Sequence, residues 1–123
     1  MTKTDPHRPT LGTTATRRHR RDRLAEMLPE LRAQLEEQRR FRAEQLAALD
    51  GHADGTADET DARRAVDAAI AEAARWALHE IEAALHRVDE GRYGVCVTCG
   101  EAIGLERLEV LPHTRYCPVC QPA

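Results

Sequence analysis

The sequence is poor in aromatic residues, which make up 3% of its 123 positions as one Trp, two Tyr and one Phe. Large aromatic side chains supply much of the buried area of a broad globular core, so their scarcity argues against one. Long apolar runs are also missing: none exceeds four residues, so we expect no membrane-spanning segment. Residues 1–23 contain no apolar stretch, and we therefore expect no secretory signal and a cytoplasmic location.

Charge is distributed unevenly along the chain. Residues 1–45 hold 11 Lys and Arg against 7 Asp and Glu, whereas residues 46–95 hold 5 against 11. A basic head beside an acidic middle is not typical of a general polyanion-binding protein. The cluster Arg17–Arg23 stands out in the head. We interpret it first as a solubilising helix start, with contact to nucleic acid or to an acidic protein surface as the alternatives.

Apolar residues at steps of three and four predict a first long helix over about residues 17–49. The Thr- and Pro-rich residues 1–16 before it are expected to be a disordered tail. Pro29 predicts a break or kink near residues 28–29, because proline removes a helical hydrogen bond and clashes with the preceding turn. The apolar stripe is interrupted in its middle by three polar residues, which are Gln38, Arg42 and Gln45.

An acidic, glycine-containing turn over about residues 50–61 leads into a second helix over about residues 58–90. Gly91 is placed to end that helix in a left-handed conformation. One face carries the apolar residues that we expect to pack on the first helix: Val66, Ile70, Ala73, Ala77, Ile81, Ala84, Leu85 and Val88. The sequence therefore predicts an antiparallel coiled-coil hairpin over residues 17–90 with an acidic tip.

All four cysteines lie in the last 28 residues as two CxxC pairs: Cys96, Cys99, Cys117 and Cys120. Two such pairs complete a tetrahedron around Zn²⁺. Gly100 follows the first pair, where its tolerance of positive φ allows the chain to turn back. Because four thiolates leave no coordination position open, we predict one structural zinc ion per chain in a globule over residues 91–123. No nucleophile–base set is evident, so we expect no enzyme. Two disulfides would suit a secreted protein and a redox site needs one reactive pair, so both alternatives fit less well.

The segments around the cysteines resemble the DksA/TraR family. They follow the pattern YGxCxxCGxxIxxxRLxxxPxxxxCxxCQ and comprise residues 91–96, 99–103, 107–109, 111–112 and 117–121. The resemblance is close over about residues 78–121, and the hairpin before them agrees with it in architecture. It implies an all-α fold with a small zinc-binding module, that is, a helical hairpin followed by a four-cysteine zinc finger.

The resemblance also implies a bacterial transcription regulator that inserts its hairpin into the secondary channel of RNA polymerase without sequence-specific DNA contact. The zinc globule docks at the rim, and the acidic tip approaches the active site. The family's tip motif, DxxDxA, is matched by Asp58 and Asp61, although Arg63 replaces its alanine; Glu59 and Asp54 are further tip candidates. A stiff rod ending in carboxylates suits a narrow, positively lined channel that holds Mg²⁺.

Members of the family that respond to the nucleotide ppGpp use basic residues at positions that correspond here to Glu80, Leu111 and Gln121. None of the three is cationic, so we predict weak or absent ppGpp dependence at that site. We also expect the regulator to be a monomer. Two other functions stay open at this point. One is a zinc-finger nucleic-acid-binding protein that uses Arg17–Arg23, and the other is an interaction adaptor whose acidic tip is only a capped, solvated turn.

Overall fold

The computed structural model describes residues 14–51 and 61–122, which form two long helices followed by a small finger. Helix α1 spans Thr14–Gly51, α2 spans Asp61–Asp89 and α3 spans Leu105–Val110. At a rise of about 1.5 Å per residue, α1 is about 57 Å long and α2 about 44 Å. Within the described residues, β pairing is limited to one isolated bridge, between Val95 and Ala102. The predicted all-α class with a small metal-binding module is confirmed.

The two long helices pack against each other as an antiparallel hairpin. Near the finger, Nη2 of Arg32 on α1 lies 2.6 Å from Oδ1 of Asp89 on α2. Farther along α1, Ala43 lines the same surface groove as Leu78. Residue numbers therefore rise along α1 as they fall along α2. No described helix has a segment long and apolar enough to span a membrane.

The end of the hairpin that carries the finger contains the hydrophobic core, and we call it the base half: residues 14–35 of α1 and 81–89 of α2. Leu31 and Leu35 are almost fully buried there. They belong to one cluster with side chains from α2 and from the finger: Ile81, Ala84, Leu85, Val88, Tyr93, Ile103 and Leu108. The finger thus shares the core of the hairpin and fixes its base.

The other end, which we call the tip half, comprises residues 38–51 of α1 and 61–77 of α2. Gln38, Arg42 and Gln45 continue the α1 seam here as half-buried polar residues. On α2, Val66 is 57% exposed and Ile70 is 39% exposed. The predicted apolar stripe is therefore not buried along its whole length, and packing in this half is weak.

The predicted α2 seam is buried in the base half, but it differs from the prediction at one position farther toward the tip. Ala74 is fully buried, whereas Ala73 is exposed. Residues 74, 81 and 88 are seven positions apart. In a coiled coil, residues at this spacing all face the partner helix, because the hydrophobic repeat averages 3.5 residues. Ala73 is one step off that repeat, and so it points away from α1.

Helix α1 continues through Pro29, so of the predicted break or kink the break does not occur, and the kink stays a prediction. Pro29 is exposed on the solvent face, where water can satisfy the carbonyl group that its missing N–H leaves unpaired. Leu28 and Leu31 on either side of it pack toward the core and hold both halves of the helix in place. The predicted tail over residues 1–16 is wrong for residues 14–16, which belong to α1. Residues 1–13 lie outside the described part of the chain.

Candidate metal centre and hairpin tip

The transition from α2 to the finger is a left-handed turn at Gly91, as predicted. Gly91 has φ +74°. Its N–H donates to the carbonyl of Val88 (3.2 Å), and the N–H of Arg92 donates to the carbonyl of Arg87 (2.9 Å). This pair of bonds is the Schellman motif, which satisfies carbonyl groups that a helix end leaves open. The chain leaves α2 sharply and enters the finger at a fixed point.

Tyr93 and Gly94 join the finger to the base of the hairpin. The buried hydroxyl of Tyr93 donates to the carbonyl of Pro112 (2.7 Å), and burial raises the pKa of Tyr93 to about 12. Gly94 has φ +90°, and a Cβ at this position would approach Cδ2 of Leu24 to 3.0 Å. Only glycine combines this backbone conformation with such close contact to α1.

The two CxxC segments are built as similar turns. The N–H of Gly100 donates to the carbonyl of Cys96 (3.0 Å), and the N–H of Gln121 donates to the carbonyl of Cys117 (3.0 Å). Gly100 has φ +79°, which confirms the predicted left-handed turn after the first pair. The N–H of Val97 donates to the carbonyl of Arg115 (2.9 Å) and links the first turn to the segment that leads into the second. Each pair of thiols is therefore held on a rigid turn.

The four sulfur atoms of Cys96, Cys99, Cys117 and Cys120 all lie within 4.8 Å of one another. The Sγ atoms of Cys99 and Cys117 are 3.8 Å apart. A tetrahedral site with Zn–S bonds of about 2.3 Å has sulfur–sulfur edges of about 3.8 Å. The four residues therefore fit one structural Zn²⁺, which supplies the cross-link between the two turns.

The protonation chemistry of the thiols also fits a bound cation. Burial raises the pKa of the Cys96 thiol, but backbone N–H groups around it outweigh burial and lower the pKa to about 6. The pKa of Cys120 is instead raised to about 12, first by its contact with Cys117 and then by burial. One thiolate forms easily and the last one does not, because like charges would be crowded together. A bound divalent cation offsets the repulsion between the thiolates and so allows all four cysteines to be deprotonated.

A charged cluster ties the segment before Cys117 to α2. The Arg115 guanidinium donates two hydrogen bonds to the Glu80 carboxylate, at 2.8 Å to Oε1 and 3.0 Å to Oε2. These side chains are only 26% and 12% exposed. The buried Arg87 donates to the carbonyl of Thr114 at 3.4 Å, and burial lowers its pKa. The second cysteine pair is thus anchored to the hairpin by side chains as well as by the metal.

Arg20 makes a corresponding link from α1. Its half-buried Nη2 donates to the carbonyl oxygens of Gly94 (3.1 Å) and Ile103. Sequence reasoning missed this role, since it treated Arg17–Arg23 as one exposed group. The helical register indicates only that Arg20 faces inward, because Arg20 and Leu24 lie on the same face and Leu24 packs on the core.

The predicted tip residues are only partly within the described chain. Asp61 is the first residue of α2 and is exposed, where a carboxylate is favourable beside the positive end of the helix dipole. Asp54, Asp58 and Glu59 lie outside the described residues. Their role at a tip therefore remains a prediction.

Fold and site together define a class: a long antiparallel helical hairpin whose base is fixed by a four-cysteine zinc finger. Residues 91–123 match the family model described as the prokaryotic dksA/traR C4-type zinc finger. The predicted DksA/TraR resemblance is therefore confirmed, and this segment is a zinc finger of that type. No solved structure matches the chain.

Curated relatives match between about a third and a half of the chain. The "RNA polymerase-binding transcription factor DksA" of Caulobacter vibrioides is 43% identical over 60 residues, which are 49% of this chain and 41% of that protein. Haemophilus influenzae DksA, with the same description, is 40% identical over 47 residues, or 38% and 32% of the two chains. "General stress protein 16O" of Bacillus subtilis is 40% identical over 52 residues, or 42% and 32%. The chain spans less than half the length of these relatives.

Proposed function

We propose that this protein binds bacterial RNA polymerase and regulates transcription initiation as a monomer in the cytoplasm. The hairpin would enter the secondary channel, with the zinc finger at the rim and the tip carboxylates near the active site. The observation that carries the proposal is a dksA/traR-type finger fused to the base of a long, slim hairpin. Two relatives of this chain are named RNA polymerase-binding transcription factors, which also supports a non-enzymatic role.

The geometry of the hairpin supports this mode of binding. Ala74 is fully buried between the helices in the tip half, and its small side chain allows α1 and α2 to approach closely. The candidate tip acids, Asp54, Asp58, Glu59 and Asp61, are concentrated where α1 ends and α2 begins. Carboxylates delivered to a site that holds Mg²⁺ and phosphates can change its electrostatics without contacting DNA. The proposal therefore assigns docking to the base and regulation to the tip.

Weak or absent ppGpp dependence is part of the proposal. Glu80 accepts both hydrogen bonds of Arg115, so this cation is already paired. Leu111 offers no charge, and the side-chain amide of Gln121 accepts a hydrogen bond from Arg107. A nucleotide carrying four phosphates needs cations or aimed N–H donors. We expect ppGpp to bind the polymerase no more tightly with this protein than without it; tighter binding would contradict this part.

The proposal is tested by transcription in vitro with purified bacterial RNA polymerase and the zinc-loaded protein. Asp58→Asn/Asp61→Asn should abolish the change in transcript yield, while binding to polymerase is retained. The separation is expected because the finger and base half, which would dock, are unchanged.

The matched control is Glu72→Gln/Glu82→Gln, which removes two exposed carboxylates from α2 away from the tip. This control should regulate as the wild type does. Equal loss in both variants would show that only net charge matters. If regulation survives in Asp58→Asn/Asp61→Asn, the proposal is contradicted and the protein is instead an interaction adaptor whose tip is inert.

A further inference from the structure

We propose that two copies of this chain associate weakly through the outer side of α2, with Trp76 of each copy packed into a groove on the other. We call this surface the Trp76 face; it comprises Ala68, Ala69, Glu72, Ala73 and Trp76. The inference goes beyond the proposed function and does not depend on it, because the contact needs no polymerase. The two are compatible, since a weak and reversible pair releases the monomer that polymerase would bind.

Trp76 is the only tryptophan of the chain, and it is 63% exposed in the tip half of α2. Tryptophan is enriched at protein interfaces, because burial of its ring removes a large apolar surface from water. The described residues that line the adjoining groove all belong to α2, so the groove opens away from α1. Three of them are alanines, whose small side chains leave room for a ring. The Trp76 face thus carries both a large apolar side chain and a groove that can receive one.

The order of these features along α2 indicates a second copy as the occupant. The groove lies over residues 68–73, on the N-terminal side of Trp76. If two α2 helices run antiparallel about a twofold axis near residue 73, Trp76 of each copy lies over the groove of the other. A parallel pair would instead place the two Trp76 rings together and leave both grooves empty. A twofold contact in which the same surface serves both copies is the commonest kind in oligomers.

The charges along α2 are complementary in the same antiparallel arrangement. With the axis near residue 73, Arg64 of one copy lies beside Glu82 of the other, and symmetry repeats the pair. Arg75 of one copy likewise lies beside Glu72 of the other. All four side chains are exposed. Because opposite charges across an interface fix its register, these pairs favour the antiparallel arrangement over a parallel one, which would bring like charges together.

The size of the contact predicts weak association. Residues 64–82 span about 27 Å of helix. A contact between two helices over this length is smaller than the about 1,600 Å² that a standard stable interface buries. We therefore expect a monomer at low micromolar concentration and a dimer at high micromolar concentration, with Trp76 as the main contributor to affinity.

The test is sedimentation velocity of the full-length, zinc-loaded protein between about 2 and 400 µM, a range suited to a weak interface. The mass should rise from monomer towards dimer. Emission from Trp76 should shift to shorter wavelength over the same range, because its ring leaves water. Trp76→Ala should raise the dissociation constant at least about tenfold. Ala69→Gln/Ala73→Gln fills the groove without changing the net charge and should have a similar effect.

The charge pairs allow a sharper version of the experiment. Arg64→Glu should raise the dissociation constant about three- to tenfold, because it places a carboxylate beside Glu82 of the other copy. Arg64→Glu/Glu82→Arg should restore association to within about twofold of the wild type. The two positions are about 27 Å apart within one chain, so this recovery requires contact between two copies.

One matched control is Phe41→Ala, which removes another exposed aromatic ring. The other is Ala43→Gln/Ala47→Gln, which enlarges two exposed alanines of α1 at the same spacing. Both should associate as the wild type does, and zinc content and circular dichroism establish that each variant is folded.

A dimer whose Trp76 emission does not change, equal losses in the variants and their controls, or no recovery in Arg64→Glu/Glu82→Arg would overturn the proposal. A wild type that stays monomeric over the whole range would also overturn it. If Trp76→Ala then weakens binding to polymerase, the occupant of the Trp76 face is polymerase rather than a second copy.

Discussion

The base half and the tip half of the hairpin are built by opposite means. At the base, leucines on α1 pack against α2 and the finger, and charged links at Arg20, Arg32 and Arg115 add to this apolar core. In the tip half, polar residues occupy the α1 seam, and the apolar side chains of α2 are largely exposed. The contrast indicates that the finger defines where the hairpin points, while the far end gains little stability from its own packing.

This difference matters for a protein whose tip is proposed to work inside another molecule. Segments with few buried apolar contacts open locally at low free energy, whereas a well-packed core opens only with global unfolding. In such a hairpin the finger sets the orientation of the rigid base, while the weakly packed tip half can still adjust its conformation to the channel around it. The predictions below test whether the two halves differ as described.

Loss of zinc should have the largest effect and should be confined to the base. Structural zinc sites contribute about 10–16 kcal/mol of apparent binding free energy in zinc-finger peptides. Cys117→Ser should therefore reduce zinc from one ion per chain to none. Hydrogen exchange should then become fast over residues 93–117 and 81–88, because the finger and the base share one core.

Exchange over residues 66–77 should change little, since this part of α2 has few buried side chains. Val119→Ser is the matched control, because Val119 lies between two ligands but is 91% exposed. This variant should keep its zinc. An equal increase in exchange in both halves would contradict the division of the hairpin.

One substitution placed in each half should give a large and a small loss of stability. Ile81→Ala removes a buried side chain in the base and should lower the free energy of unfolding by about 2–5 kcal/mol. Ile70→Ala makes the same change on the same helix at a partly exposed position, and it should cost less than about 1 kcal/mol. Urea unfolding of both variants measures the difference. Similar losses would show that the tip half is packed as tightly as the base.

Breaking the Arg115–Glu80 pair should have an intermediate effect. Arg115→Ala leaves the Glu80 carboxylate mostly buried without its partner and should destabilise the protein by about 1–3 kcal/mol. It should also speed the transfer of zinc to a chelator, because Arg115 lies two residues before the ligand Cys117.

The reversed pair, Glu80→Arg/Arg115→Glu, should recover part of the stability. Asp89→Asn breaks the exposed contact with Arg32 and should have a smaller effect, since exposed ion pairs are screened by water. If Asp89→Asn destabilises the protein as much as Arg115→Ala, burial of the pair is not what makes it important.

The smallest effect should come from His113, in the segment that connects α3 to the second cysteine pair. Its Nδ1 is buried and has no hydrogen-bond partner among the described residues. Burial lowers the pKa of His113, with Glu80 acting in the opposite direction and Arg42 and Arg87 acting in the same direction as burial. The folded protein therefore binds this proton less readily than the unfolded chain, so stability should fall as the pH drops below about 6.5.

His113→Gln should remove this contribution, because glutamine does not titrate. The measurement is urea unfolding with saturating zinc at pH 8 and pH 6 for the wild type and the variant. The wild type should lose more stability than His113→Gln between the two pH values. An identical loss would show that His113 does not contribute to the pH dependence.

The features that the sequence predicts correctly are local or periodic. Two CxxC pairs predict the metal site because each pair needs only one turn, and Gly91 and Gly100 adopt the expected left-handed conformations. Apolar residues at steps of three and four predict the two long helices, because this periodicity also depends only on residues that are close in the chain. The continuity of α1 at Pro29 is not predictable in this way, because it depends on core contacts made by the residues on either side.

The missed features join residues that are far apart in the chain. Arg115 and Glu80 are separated by 35 positions, and Arg20 and Gly94 by 74. No spacing rule connects such residues before the fold is known. The burial of Ala74 rather than Ala73 has a similar cause, since both alanines fit an apolar stripe and only packing against α1 distinguishes them.

The central claim, that a finger-fixed base delivers the tip to the polymerase active site, is tested most directly by site-specific photo-crosslinking. A photoreactive residue replaces Ala57 between the candidate tip acids or, as a control, the exposed His79 on α2. The account predicts that position 57 crosslinks to polymerase residues around the catalytic Mg²⁺, whereas position 79 crosslinks nearer the channel entrance. The account would be contradicted if position 57 crosslinked only to the outer surface of polymerase, or if it did not crosslink to polymerase at all.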